Sequence, residues 1–191
     1  NTEHMAAIAR TGLRVSGASG DRIVTPTVVN ELPDTPIDLL ILAVKAGAVA
    51  DAAASCKGSM ACISRVVTIQ NGLGSADTVA DLLGTEKLVV GVAQGFGASI
   101  VTPGHVHHND MKAIRLGTYG DLPLVSVEEL ASTWRQVGFD AEAVHDILSA
   151  QWEKLICNVA YSAPCALTGL TVGEAMQDDA LGPITRDAAL E

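Results

Sequence analysis

The run Asp38-Leu39-Leu40-Ile41-Leu42-Ala43-Val44 constrains this chain more than any other stretch. It carries one charge at its start and no polar alternation afterwards. A half-buried strand needs apolar and polar side chains in turn, because neighbours point to opposite faces. A run apolar at every position suits a strand covered on both faces, as in a parallel sheet between helices. Lys45 ends the run, and the Ala-rich segment 46–55 follows as a helix. The pattern then recurs. Arg65-Val66-Val67-Thr68-Ile69-Gln70 is a strand and Asn71-Gly72-Leu73-Gly74 a turn. A helix over 75–83 follows, with Ser75 as N-cap and Gly84 as stop, and then a strand over 87–92. Parallel neighbours require long crossovers of one hand, so residues 38–92 read as the second half of a doubly wound sheet. Folds of this class bind ligands beyond the carboxyl ends of their strands, where Lys45 and Asn71 fall.

The flanks are mixed. Residues 2–10 form a helix capped by Asn1 or Thr2 and stopped at Gly12, and residues 13–16 and 23–29 form a hairpin around 17–21. Segments 95–101, 105–109 and 113–117 read as antiparallel strands added to the same sheet. Residues 127–137 form an amphipathic helix, with Ser126 as cap and Glu129 completing a capping box. A short strand over 141–145 precedes a long helix, Ile147 to Thr168, and Pro183 stands near the start of a last helix. Both ends cut through helical pattern, so the chain reads as a fragment of a longer protein.

Composition narrows the function classes. With 48% apolar and 18% charged residues over 191 positions, disorder is excluded and one domain or slightly more is expected. Twelve basic against 22 acidic side chains leave a net charge of −10, which excludes general affinity for nucleic acid or anionic membrane. No apolar stretch approaches the roughly 18 residues of a membrane span, and no signal peptide is visible. Four cysteines without zinc or disulfide spacing read as free thiols, Cys157 and Cys165 as packing residues, in a cytoplasmic protein. His105, His107 and His108 raise the question of a metal, but only Asp110 stands by to complete a ligand set, so no metal site is assigned. Asp178-Asp179 reads as a solvated helix face.

The long helix carries the sharpest pattern. Leu148, Trp152, Leu155, Ile156, Val159, Ala163 and Ala166 form one apolar stripe, and Pro164 is expected to kink it. Lys154, Asn158 and Ser162, spaced by four, form a polar row along its edge. A lysine in a cleft serves as a general acid once its pKa falls, and an asparagine both donates to and accepts from an oxygen-rich ligand. The same row also suits a plain solvated edge, and Asn71-Gly72 by itself suits a plain turn.

Three motifs in register, DLLILAVK (38–45), QNGLG (70–74) and WEKLICN (152–158), resemble the ketopantoate reductases, also called 2-dehydropantoate 2-reductases. The Gly104-His105-Val106-His107 link and the Ala166-Leu167-Thr168-Gly169 tail extend the resemblance over residues 4–190. It implies an α/β chain: an incomplete Rossmann-like, NADP-binding domain over 1–146, then the linking helix and the start of an all-helical substrate domain over 147–191. It implies NADPH-dependent reduction of ketopantoate in pantothenate biosynthesis, by a cytoplasmic protein compatible with a homodimer and with a small 2-oxo acid as substrate. Lys154 becomes the general acid. Asn158, Ser162 and Asn71 become substrate ligands, with Lys45 and Asn71 beside the cofactor. Ser162 stands where the family has a second asparagine, and Pro164 comes one residue late. The family's glycine-rich first loop lies outside the chain, so the fragment itself is expected to be inactive. Two alternatives stay open: a related reductase or dehydrogenase of another 2-oxo or 2-hydroxy acid, and a non-catalytic dinucleotide-binding module.

Overall fold

The computed structural model describes residues 2–110 and 113–191. Helix α1 (Thr2–Thr11) leads into strands β1 (Leu13–Gly17) and β2 (Arg22–Val24). Strand β3 (Leu40–Leu42), helix α2 (Val49–Cys56), strand β4 (Val66–Thr68), helix α3 (Ser75–Leu83) and strand β5 (Leu88–Gln94) follow. Then come β6 (Gly97–Thr102), β7 (His105–Asp110), β8 (Ala113–Thr118), α4 (Leu124–Gln136) and β9 (Ala141–Val144). The chain closes with α5 (Ile147–Thr168), α6 (Val172–Gln177) and α7 (Leu181–Leu190).

The main sheet has the order β3-β4-β5-β8-β9. Strands β3, β4 and β5 are parallel, β8 runs against β5, and β9 runs parallel to β8. Alternation along the strands sorts the core into two layers. Val66 and Leu88 pack with Val49, Ala53 and Val79 of α2 and α3, while Val67 and Val89 pack with Val127, Leu130 and Ala131 of α4. Val66, Val67, Leu88, Val89 and Val90 are each no more than 1% exposed. Each such side chain stabilises the fold by about 1.5–3 kcal/mol through burial. The doubly covered sheet expected from 38–92 is therefore present, with one exception at its end. Ile41 is 45% exposed, because β3 is the terminal strand and the α4 layer covers only its neighbours.

Only one of the three strands expected to extend this sheet does so. Strand β8 joins it, but β6 and β7 form a second sheet with the N-terminal hairpin, in the order β2-β1-β7-β6. The reason lies in pairing. Strand β7 runs parallel to β1, with Arg14 opposite His105 and Ser16 opposite His107, and the Ser16 Oγ lies 2.8 Å from His105 Nε2 and 3.0 Å from His107 Nδ1. Two of the three histidines raised as metal ligands, His105 and His107, thus face a serine on the next strand. Among the described residues no group of three or more candidate metal ligands occurs.

Several local expectations are corrected. The cap expected at Asn1 lies outside the described residues. The cap of α3 is Gly74 at φ +88°, a left-handed conformation that glycine adopts without strain, and Ser75 is the first helical residue. Helix α4 begins after Pro123, so Ser126 and Glu129 lie inside it and no capping box forms there. A capping box does form at Thr171 and Glu174, ahead of α6. Asp178 and Asp179 are exposed as expected but lie between α6 and α7 rather than on a helix face, and the Asp178 carboxylate accepts from the Ala180 and Leu181 amides at the start of α7. Cys157 is exposed rather than packed.

Helix α5 spans the expected residues and runs through Pro164. Its first turn is fixed by Asp146, which accepts from the Ser149 backbone and hydroxyl at 3.0 and 2.6 Å. Its seat on the sheet is Gly117 of β8, where a Cβ would lie 2.3 Å from that of Ile147. Only a glycine lets the helix approach so closely. Beyond this seat Ile147 and Ala160 are buried, whereas Leu148, Trp152, Ile156 and Val159 of the apolar stripe stay 42–56% exposed. Helix α7 covers part of that stripe, with Leu190 beside Trp152 and Ile156.

Candidate active site

The carboxyl ends of β3, β4 and β5 open into a cleft of about 590 Å³, closed on one side by α5. The strand ends contribute Lys45, Gln70 and Asn71, and the segment after β5 contributes Gly95 and Phe96. Helix α5 contributes Lys154 and Asn158, one turn apart and so on the same side. The tertiary structure thus brings together Lys45, Asn71, Lys154 and Asn158, which are up to 113 positions apart in sequence (158 minus 45). It does not bring in Ser162, which is exposed, a further turn along α5, and not part of the cleft wall.

Lys154 is partly buried, and its Nζ donates to the Ala93 carbonyl at the end of β5. Burial pushes the ammonium below the ordinary lysine value, since a charge loses solvation there. Lys45 and Asn71 are exposed at the mouth. Among the described residues no carboxylate lines the cleft, although the chain as a whole carries −10. Two ammonium groups and three amide side chains therefore give it a local field opposite to that of the whole protein. Such a field draws an anion bearing carbonyl oxygens.

Gln70 went unassigned in the sequence. Its Nε2 donates to the Leu42 and Val44 carbonyls at 2.6 and 3.1 Å, and its Oε1 accepts from Thr68 Oγ1 at 2.5 Å. The amide clips the end of β4 to the end of β3, next to the positions of Lys45 and Asn71. An amide directly after the last apolar residue of the strand segment, Ile69, was the available hint. Phe96 was likewise passed over, an aromatic side chain between two glycines.

A dinucleotide is tested against this donor set. Small residues at the strand ends (Ala43, Ala46, Ala93, Gly95) leave the backbone open to a ligand, and Lys45 supplies a cation among amides. The residues present fit such a group.

Helices on both faces of a parallel sheet, with a donor-lined cleft at its carboxyl edge, define a Rossmann-like α/β domain continued by a helical part. The profile of the ketopantoate reductase PanE/ApbA family matches residues 1–121, and that of the family's C-terminal part matches residues 146–191. The chain belongs to this reductase family. It is 30% identical over 179 residues to the 2-dehydropantoate 2-reductase of Halobacterium salinarum, covering 90% of this chain and 57% of that one. To the enzyme of the same name from Pyrococcus horikoshii it is 27% identical over 188 residues, covering 98% and 61%. Among solved structures, 2-dehydropantoate 2-reductase from Geobacter metallireducens superposes with a TM-score of 0.83 at 30% identity, over 96% of this chain and 62% of that one. D-mandelate dehydrogenase, solved with NADH and anilino(oxo)acetate, superposes at 0.85 with 19% identity over 97% and 60%, a likeness of fold. The chain thus spans about three fifths of the length of these relatives.

Proposed function

We propose that the protein of which this chain is part reduces 2-dehydropantoate to pantoate with NADPH, in the cytoplasm, as a step toward pantothenate. The observation that carries the reading is the convergence of Lys154, Asn158, Asn71 and Lys45 on one carboxylate-free cleft at the carboxyl edge of the sheet. Residues 1–146 act as the dinucleotide-binding part, and residues 147–191 begin the part that completes the substrate site.

When bound, the dinucleotide supplies a hydride to the ketone carbon. Lys154 supplies the proton. As the C=O π bond opens, Nζ donates to the oxygen, so that one C–H and one O–H bond replace it and the lysine is left neutral. Its lowered pKa favours that transfer near neutral pH. The Ala93 carbonyl aims the ammonium along the cleft. Asn158 orients the substrate one turn further on, and Ser162, a further turn along α5 and beyond the cleft wall, meets only a substrate group that reaches out of the cleft. Lys45 and Asn71 hold the cofactor, and Asn71 also reaches the substrate.

The test is NADPH oxidation by the full-length protein against a panel of 2-oxo acids. The highest kcat/KM is expected with 2-dehydropantoate, and a lower value with NADH. Equal kcat/KM for the two cofactors overturns the NADPH assignment. A higher value on another 2-oxo acid assigns the protein to a related reductase.

A further inference from the structure

One wall of the cleft differs from the rest. Lys45, Asn71, Lys154 and Asn158 present hydrogen-bond donors, whereas Phe96 presents an aromatic ring that is 49% exposed. No core cluster holds this ring. Its aromatic partner is His108, at 5.0 Å between centroids and tilted by 38°. The same ring also bounds a second cavity of about 840 Å³, larger than the cleft itself. Val106, Val137 and Phe139 give that cavity apolar walls, and Arg22 lies at its edge. His108 also lines it, 7% exposed and with no hydrogen-bond partner at Nε2 among the described residues. Phe96 is thus a partition between a donor-lined cleft and a mostly apolar chamber.

The chemistry of a 2-oxo acid fixes how it lies against such a wall. Its ketone and carboxylate oxygens accept hydrogen bonds and turn toward Lys154, Asn158 and Asn71. Its carbon substituent is left to the remaining wall, Phe96 and Ile69. An apolar group laid on a half-wet ring removes water from both surfaces. We propose that Phe96 is the specificity-determining residue of this site. It packs on the substituent of the 2-oxo acid and shuts off the second cavity, so that branched aliphatic substituents fit and aryl substituents are turned away. This rests on the reading of the cleft as a site of 2-oxo acid reduction.

The experiment compares kcat/KM of the full-length protein with NADPH on 3-methyl-2-oxobutanoate and on phenylglyoxylate, for the parent, Phe96→Ala and Phe96→Leu. The parent is expected to favour the branched substrate. Phe96→Ala joins the cleft to the second cavity and moves the ratio toward the aryl substrate by at least about tenfold, within the range that hydrophobic pockets achieve. Phe96→Leu moves it the same way by about threefold, and carries the test if the alanine variant does not fold. A ratio within twofold of the parent in the folded variants, with both values falling together, makes Phe96 a structural residue and overturns the proposal. So does a parent that prefers the aryl substrate. A parent that reduces no 2-oxo acid overturns the reading of the cleft and this inference with it, whereas an active parent with an unmoved ratio overturns the inference alone.

Discussion

The two sheets are built on opposite terms. In the five-stranded sheet β4 is buried throughout and β5 over its first five residues. In the four-stranded sheet β2 is exposed throughout and β6 is exposed at every residue but Gly97. Both are joined by backbone ladders, the one between β6 and β7 broken by register shifts at Gly97/Ala98 and Ile100/Thr102, yet only the five-stranded sheet has helices on both faces. The four-stranded sheet relies instead on polar pairs: Arg14 with Asp21 at 2.5 Å, and Ser16 between His105 and His107. Exposed ion pairs contribute little, because water screens them. The difference shows why the cleft sits where it does. Groups that must hold position need a base that packing has fixed, and Lys154 stands on a helix seated against the buried sheet.

The sharpest way to break this contrast is a matched pair of truncations. Leu116→Ala in β8 empties a fully buried position and should cost about 2–5 kcal/mol. Ile100→Ala in β6, at a site 58% exposed, should stay within about 0.5 kcal/mol. Urea denaturation midpoints at constant slope measure both, and equal losses would show that the small sheet is a core as well. Next in size, Lys154→Ala in the full-length protein should lower kcat at least about 100-fold, as for loss of a positioned general acid. Its Tm should hold or rise slightly, because a desolvated ammonium is removed. A loss below tenfold at unchanged Tm would return Lys154 to the role of a solvated edge.

A pH series sharpens the same point. Burial lowers the pKa of Lys154 in the folded state, so between that value and the ordinary lysine value the unfolded chain binds more protons. Stability from this group therefore rises with pH through the window, and the penalty of the charged form is complete below it. Lys154→Met should lack that rise in a comparison of urea midpoints. With Lys154 as the proposed proton donor, kcat/KM should be flat below the lowered pKa and fall tenfold per unit above it. A limb starting at the ordinary lysine value would show that the cleft does not desolvate it. The smallest effect is expected at Ser162. Ser162→Asn lengthens an exposed side chain by one atom and adds a second donor proton, worth about 0.5 kcal/mol for one hydrogen bond near the mouth. It should raise kcat/KM for 2-dehydropantoate by two- to threefold. A fall would place the substrate elsewhere along α5.

Much of the buried sheet was legible because both-face burial leaves a mark at every position. Residues 38–44 and 87–92 carry no polar alternation and 65–70, past its leading Arg65, turns polar only from Thr68 on, and each contains a strand of the main sheet. Helix α5 was legible nearly to its ends because its stripe keeps one period from Leu148 to Ala166 of a 22-residue helix. The destination of 97–110 was not legible. Strands β6 and β7 form their expected hairpin, but a hairpin has two free edges, and which sheet takes it depends on the distant partner. Ser16 and Gly17 of β1 meet His107 and His108, 91 residues later, and no local pattern encodes that meeting.

For the cleft, sequence alone named Lys45, Asn71, Lys154 and Asn158, because charged or amide groups stood at strand ends and along one helix edge. Spacing could do no more, since a row at every fourth residue is the same row whether it faces a ligand or water. Tertiary structure decided the rest through contacts with no sequence period. Gly117 sets the depth of α5, the Ala93 carbonyl meets the Lys154 ammonium, and Gln70 ties two strand ends together. The turn of α5 carrying Ser162 lies beyond the strand ends, so the wall of the cleft stops at Asn158. A helix touches a twisted sheet over only a few turns, and where that contact ends is a property of the packing.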